Sequence, residues 1–522
     1  MKNIFKTTLA FVFALSLAAC YSDDSDLGGR PVGDIEIDGL EDSYTCMAYT
    51  GERLKINPTV NAGYDEGKMN YTWMLLNKNT GSLTAEGDTI QPTVISNEKN
   101  LDFEVNVSPG VYQLRFVAQA PNGYYKIDYA TVNVQTAFSQ GFYVLKETTD
   151  GNTDLDLLTA KDEVASNIYT SVFGAPLSGK PGTLNAVYAS YYINEETNEM
   201  EQTNFVSVAT EDGQLHVNRL TDFKQIFGND NICYDPIAGS EKVVSYFYGA
   251  GLFYHNILCT TKGVYSSDFN SSECTGQFGD CSAVMEGESP TRHFVWDAVN
   301  YGAACYWSDE SKMFYSLDYS VFPEPMMLYG DEDTDYSGFS CLTCNINRTA
   351  GDQCVFVMDD AVAGKRWVYM TFSSMMGQMY TGRVELPATL HVGKASAYAV
   401  CYSQAQYVYA IDENKLWAAN FSSDSPNDIE LSLNGIGAGE ELTFVTNQSL
   451  FGVADDFDYL IVGTQKGNNY KLYMYEMNGG VPQGDPVKTI SGEGKVKSVR
   501  YLYPSFSGFM FNYGYQGATM ND

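Results

Sequence analysis

From Phe142 onward, short apolar runs alternate with polar turns in a unit that recurs along the chain. Phe142-Tyr143-Val144-Leu145 leads through Asp150-Gly151 to Leu155, Leu157 and Leu158. Phe205 to Val208 leads through Asp212-Gly213 to Leu215-His216-Val217. The same strand-turn-strand pattern returns around Lys262-Gly263, Asp309-Glu310, Ala363-Gly364, Glu413-Asn414 and Lys466-Gly467. Runs of this length with Gly or Asn at the turn read as β-hairpins. The turns fall roughly 50 residues apart, a period of hairpins that predicts the blades of a β-propeller. A further apolar run precedes several hairpins, at Leu184–Tyr188, Val243–Tyr248 and Ala395–Tyr402. The hairpin at Phe142 lacks one, whereas Val496–Tyr503 and Phe509–Tyr513 stand alone at the C-terminus. Joining the two ends completes one blade and gives a seven-bladed ring, with eight blades as the alternative.

Residues 34–136 follow a different rhythm. Tyr71, Trp73 and Leu75 share one face of a strand, and Leu101, Phe103 and Val105 repeat the alternation. Ser108-Pro109-Gly110 turns the chain into a strand that places Tyr112, Leu114 and Phe116 together. Six or seven short strands around a buried Trp predict an immunoglobulin-like sandwich. The Tyr71-x-Trp73 strand and the Pro109-Gly110-x-Tyr112 turn resemble a PKD-type immunoglobulin domain. Leu76-Asn77-Lys78 stands where such domains commonly carry Gly-Asp-Gly, and Cys46 has no local partner for an intersheet disulfide.

The N-terminus carries Lys2 and Lys6, an apolar stretch from Leu9 to Leu17, and Ala18-Ala19-Cys20. That order is built like an export signal, and the apolar stretch is too short to span a bilayer. It resembles the bacterial lipobox, which implies acylation at Cys20 and removal of residues 1–19. Tyr21 to Asp26 is polar and acidic, so residues 20–33 are expected to form a flexible tether. Ser22, Asp23 and Asp24 resemble the acidic export signal of surface lipoproteins of Bacteroidetes, which implies a lipid anchor in the outer membrane facing the exterior.

Composition sharpens this picture. The formal charge is −34, and removing Lys2 and Lys6 leaves −36. Such a body repels phosphate backbones, which argues against nucleic acid as a partner. With 39 tyrosines and few amphipathic helical stretches, the class is all-β. Eleven cysteines do not make a framework: Cys20 is assigned to lipid, Cys46 is isolated, and nine spread from Cys233 to Cys401. Cys341-Leu342-Thr343-Cys344 lacks a second pair at zinc spacing. Most of the cysteines are expected to be buried apolar residues, while an oxidising compartment would permit one disulfide, for instance Cys274 to Cys281.

Catalytic motifs are scarce. No Gly-x-Ser-x-Gly elbow, His-Glu-x-x-His helix or phosphate-binding glycine loop is present. Asp331 to Asp335 spaces carboxylates like a calcium loop, but Tyr336 and Leu342 occupy the positions an EF-hand gives to Gly and Glu. This segment and Asp150 to Asp156 are therefore expected to be solvated acidic loops, and no metal or cofactor is expected. Trp296, Trp307, Trp367 and Trp417 are the candidates for stacking on a sugar or peptide. Met375 to Tyr380 and Pro323 to Met327 are apolar for loops and suggest either a partner surface or packing between blades.

The whole arrangement, with lipobox, acidic tether, sandwich (34–136) and propeller (137–522), resembles the PKD-like family of Bacteroidetes surface lipoproteins. The resemblance implies an accessory, non-catalytic binding or docking subunit beside a SusC/SusD-like TonB-dependent importer of oligosaccharides or peptides. A propeller hydrolase or lyase acting on the nutrient, or a purely structural subunit, are the alternatives that the fold leaves open.

Overall fold

The computed structural model describes residues 35–48, 50–77, 91–107, 109–195, 198–237, 239–249, 255–268, 275–279, 283–284, 294–296, 304–317, 323–349, 351, 353–374, 377–451 and 456–503. Among these the chain is all-β, with one α-helix (Ile168–Phe173) and two single 3₁₀ turns. Cys20, Ser22, Asp23, Asp24, Cys274, Cys281 and the run Phe509–Tyr513 lie outside the described residues.

The N-terminal unit is a sandwich. Its larger sheet orders Ser43–Met47, Tyr125–Gln135, Gly110–Gln119, Asn70–Asn77 and Thr93–Ser96, with only the first pair parallel. Arg53–Ile56 pairs with Leu101–Glu104 across the core. The alternation reads directly into burial: Tyr71, Trp73 and Leu75 point inward, and so do Tyr112, Leu114 and Phe116. Trp73 pairs with Phe116 in register, their rings 4.3 Å apart, and its indole N–H donates to the carbonyls of Glu98 and Lys99. Satisfying that N–H is what allows so large a ring to be fully buried.

Seven antiparallel sheets follow in chain order, six of four strands and the last of five. The second orders Pro181–Asn194, Glu199–Thr210, Leu215–Arg219 and Gln225–Gly228, and the fifth orders Phe339–Asn347, Gln353–Asp360, Lys365–Ser374 and Gly377–Leu386. The third, fourth and sixth open with Val243–Gly249, Phe294–Trp296 and Ala397–Val400, and the seventh runs from Glu441–Leu450 to Lys488–Glu493. The first differs: Val164–Ala165, Thr153–Thr159 and Gly141–Glu147 are joined by Lys495–Leu502 from the other end of the chain. There Phe142 faces Tyr501 and Val144 faces Val499.

Apolar clusters join each sheet to the next. Leu145 and Leu157 of the first sheet meet Val206 and Val208 of the second. Val187, Ile257 and Tyr306 link the second to the fourth, and Trp307 with Phe356 joins the fourth to the fifth. Val357 with Val408, and Tyr409 with Leu460, continue into the sixth and seventh. Phe142 and Val144 then pack with Ile461 and Leu472, linking seventh to first.

Polar side chains on the opening strands support the same succession. Asn185 Nδ2 donates to Ser245 Oγ over 2.9 Å, and Asn347 Nδ2 donates to the carbonyls of Cys401 and Ala405. Asn447 Oδ1 accepts from the Tyr402 amide.

Two expectations need correction. Asp154 and Asp156 are fully buried rather than solvated. Asp154 accepts from the amides of Tyr169 and Thr170 and from the Thr170 hydroxyl, satisfying exposed donors of the helix start. Asp331 is likewise buried: Arg383 sits 2.7 Å away, and the hydroxyls of Thr334 and Tyr336 donate to it. Tyr336, which displaces the glycine of a calcium loop, is thus one of the groups that hold the carboxylate. Burial and the bond to Asp331 both push the Tyr336 phenol well above its ordinary value. The eight described cysteines are all buried, Cys341 and Cys344 included.

Candidate functional site

The opening hairpin of the second sheet is long because both strands keep pairing past a β-bulge between Val187 and Ser190, out to Asn194 opposite Glu199. Its outer end carries Tyr192 and Asn194 on one strand and Glu201 on the other. Arg219 ends the third strand, and the turn after it is closed by Phe223 in the left-handed region at φ 62°. Gly276 brings the segment Thr275–Phe278 against the hairpin; a Cβ there would collide with the Tyr191 carbonyl, and its φ of +80° suits glycine.

These segments enclose a cleft of about 180 Å³ lined by Tyr192, Asn194, Arg219, Gln225, Phe227 and Gln277 among others. Its back wall is a hydrogen-bonded chain. Tyr192 donates its hydroxyl to Glu201, Asn194 Nδ2 donates to the same carboxylate over 2.6 Å, and Arg219 donates to the Tyr192 oxygen. Arg219 is held in turn by both carboxylate oxygens of Asp222, at 2.9 and 2.5 Å, and its guanidinium lies 5.4 Å from the Tyr192 ring centroid.

The electrostatics follow from these bonds. Burial and the bond to Glu201 push the Tyr192 phenol up to about 12. The bonds from Tyr192 and Asn194 hold Glu201 below the ordinary carboxylate range. Burial alone would raise Asp222, but the Arg219 side chain and the Lys224 amide outweigh it and lower its pKa. The wall therefore presents fixed, ionised acceptors and a phenol locked as a donor.

The same turn anchors the N-terminal sandwich. Thr136 Oγ1 donates to the Leu220 carbonyl over 2.7 Å, and Phe138 packs on Phe223 with ring centroids 5.1 Å apart. Gln135, Thr136, Ser139 and Gln140 are all buried, so the connector is part of the packed structure.

The tryptophans lie elsewhere. Trp307 is fully buried and donates to Asp309 over 2.8 Å. Trp367 has the Arg383 guanidinium 4.3 Å from its ring. Trp417 is stacked by His391, with centroids 3.6 Å apart. Trp296 ends the strand Phe294–Trp296, and its side chain is outside the described set. The described three are thus each engaged within the fold, by burial, by Arg383 or by His391.

His391, Asp412 and Glu413 come close enough to suggest a metal centre. His391 Nδ1 is, however, 2.7 Å from Asp412, and the Lys394 ammonium lies 3.4 Å from Asp412 and 3.7 Å from Glu413. The lysine supplies the positive charge that a metal would bring. Of the apolar loops, Met326 is buried while Met327 is 68% exposed; Met375 and Met376 are outside the described residues.

Sequence reasoning missed the cleft because its walls come from segments around positions 192, 201, 219 and 277, with no motif linking them. The sequence marks only Leu184–Tyr188 and Phe205–Val208 as strands, and the bulged extension of the hairpin out to Asn194 and Glu199 lies between them.

The N-terminal part of the chain, residues 20–181, matches the PKD-like family. The match covers the sandwich and three of the four strands of the first sheet, and ends at the opening strand of the second. No curated protein matches the sequence. Among solved structures, AztD of Citrobacter koseri is similar at 11% identity, covering 82% of this chain and 100% of its own, with a TM-score of 0.32. A DUF4784 family protein from Bacteroides caccae is similar at 9% identity, over 86% and 95% of the two chains, with a TM-score of 0.26. The exotype rhamnogalacturonan lyase YesX is similar at 10% identity, over 84% and 74%, with a TM-score of 0.24.

Proposed function

We propose that this protein is a lipid-anchored, surface-exposed accessory subunit of a TonB-dependent importer, which captures oligosaccharide or peptide nutrient without transforming it. In this reading the seven sheets form a seven-bladed propeller closed between the two chain ends. The pairing of Gly141–Glu147 with Lys495–Leu502 and the apolar cluster between seventh and first sheets support that architecture. Cys20 carries the lipid, and Ser22, Asp23 and Asp24 mark the chain for display. The transporter partner, of the SusC/SusD-like kind, is inferred from the resemblance and from the PKD-like match.

One observation carries the binding role: the charged groups of the cleft wall are fixed by bonds to one another. Glu201 is held ionised by Tyr192 and Asn194, and Arg219 is neutralised by Asp222. A carboxylate kept below its ordinary range is a poor general acid, whereas a rigid set of donors and acceptors suits recognition. The connector through Thr136 and Phe138 fixes the cleft relative to the sandwich, so sandwich and binding face act as one body. Affinity capture from detergent-solubilised outer membranes, with Cys20→Ser as control, tests the reading. Retention of a TonB-dependent transporter by the lipidated protein is expected; recovery of the protein alone from every membrane preparation overturns it.

A further inference from the structure

Building on the reading of the cleft as a binding site, we infer that it seats a single neutral pyranose ring at the end of an oligosaccharide. Size sets the first limit. An apolar cavity of about 150 Å³ holds one benzene, so a cleft of about 180 Å³ has room to enclose one substituted six-membered ring. A longer chain would have to project from the mouth.

Chemistry narrows the ligand further. Phe227, Ile226 and Ile193 contribute apolar surface to the lining, suited to the C–H face of a sugar. Around it stand Asn194, Gln225, Asn231 and Gln277, whose amides both donate and accept. Gln225, Asn231 and Gln277 each spend one N–H inside the protein, on the carbonyls of Phe227, Ile226 and Asn231, which leaves a second for a ligand. Groups that do both are what sugar hydroxyls require, because every hydroxyl is itself donor and acceptor. Glu195, Glu201 and Asp222 stand against Arg219 and Lys224, so the site carries one net negative charge and disfavours an anionic ligand.

A peptide is disfavoured by the sheet edge. Gln225–Gly228 is the outer strand of its sheet and would be the place for an added strand. Its backbone groups are instead taken by side chains: Asn231 Nδ2 donates to the Ile226 carbonyl, Asn231 Oδ1 accepts from the Gly228 amide, and Gln225 Nε2 donates to the Phe227 carbonyl. An edge capped in this way resists main-chain pairing.

Saturation-transfer NMR on the full chain tests this with a panel of methyl pyranosides (gluco, galacto, manno, xylo and rhamno) beside N-acetylated dipeptide amides. At least one pyranoside should bind saturably, with a dissociation constant on the order of millimolar for so small a ligand. Gln277→Ala, at a partly exposed position, should weaken it about tenfold, as expected for a lost ligand hydrogen bond, with an unchanged urea midpoint showing that the fold is intact. Lys224→Ala should change it by less than about twofold, since a neutral ring gains little from that charge. No pyranoside binding, dipeptide binding alone, or pyranoside binding unaffected by Gln277→Ala overturns the inference; abolition by Lys224→Ala would make the ligand anionic and also overturns it. Transporter capture without pyranoside binding would sink this inference alone, and pyranoside binding without transporter capture would sink the import role alone.

Discussion

Tyr470 of the seventh sheet donates its hydroxyl to Asp156 of the first over 2.6 Å, although the two are 314 residues apart. Asp156 also accepts from Lys146 at 2.7 Å and from the Asn167 amide, and the Lys146 and Asp156 side chains are 1% and 0% exposed. A buried carboxylate with three partners ties together the two ends of the succession of sheets. Removing one partner leaves the other charge stranded in an apolar setting. Lys146→Met should therefore lower unfolding free energy by about 3–5 kcal/mol. Tyr470→Phe removes one neutral donor and should cost about 1–3 kcal/mol. Urea unfolding followed by tryptophan fluorescence measures both, and equal, negligible losses would show that the clasp is dispensable.

The wall of the cleft predicts pH dependence at both ends of the scale. Glu201 and Asp222 titrate below their unfolded values. Their contribution is complete above the ordinary carboxylate range and is lost as pH falls through their folded values. Tyr192 is raised from 10.0 to about 12. Its contribution is intact below pH 10 and is lost as pH rises between those two values. Glu201→Gln should flatten the acid limb of the stability profile, and Tyr192→Phe should flatten the slope between about pH 10 and 12. Unchanged limbs in both variants would contradict the bonding described for the wall.

How much of this was legible depended on whether the signal was local. Trp73 and its alternating neighbours, and turns such as Asp150-Gly151, announce strands and hairpins within a few residues, because period-two burial and left-handed turn positions are local constraints. The fate of Asp156 is not local. In sequence it reads as part of an acidic turn, and only Tyr470 and Lys146, brought in by packing, make burial tolerable. Asp331 misled in the same way, since Arg383 lies 52 positions later. The cleft is the extreme case: Tyr192, Arg219 and Gln277 carry no mutual spacing rule, and ordinary strand residues become a site only through the bulged hairpin and Gly276. The tryptophans drew attention by residue type, but Trp307 and Trp417 are used by packing and by His391.

Lipidation is the prediction that fixes location. Cys20→Ser should abolish incorporation of a palmitate analogue and leave an unprocessed precursor. Replacing Asp23, Asp24 and Asp26 with Ala should leave the protein acylated but protected from protease added to intact cells. Labelling of the serine variant at wild-type intensity would refute the anchor, and protection of the wild type would refute display.

The strand Lys495–Leu502 offers the sharpest test of how the sheets are closed. It supplies the fourth strand of the first sheet, pairing with Gly141–Glu147 through seven residue pairs. Val499, Leu502 and the following Tyr503 are all buried: Val499 packs with Phe142 and Ile461, and Leu502 with Tyr143 and Val206. Truncation before Lys495 would leave the backbone groups of Gly141–Glu147 unpaired on one side and expose apolar faces of both the first and seventh sheets. At about 25 cal/mol per Å² of apolar surface, uncovering these side chains and their neighbours costs on the order of 5 kcal/mol. That is comparable with the whole stability of many domains. The sandwich shares none of this core, since Trp73, Phe116 and Leu54 belong to a separate cluster. The truncated chain should therefore lose the near-ultraviolet signal of its seven sheets and become protease-sensitive beyond Thr136, while a fragment spanning the sandwich survives digestion. A truncated protein that unfolds cooperatively at the wild-type urea midpoint would show that the first sheet needs no strand from the C-terminus.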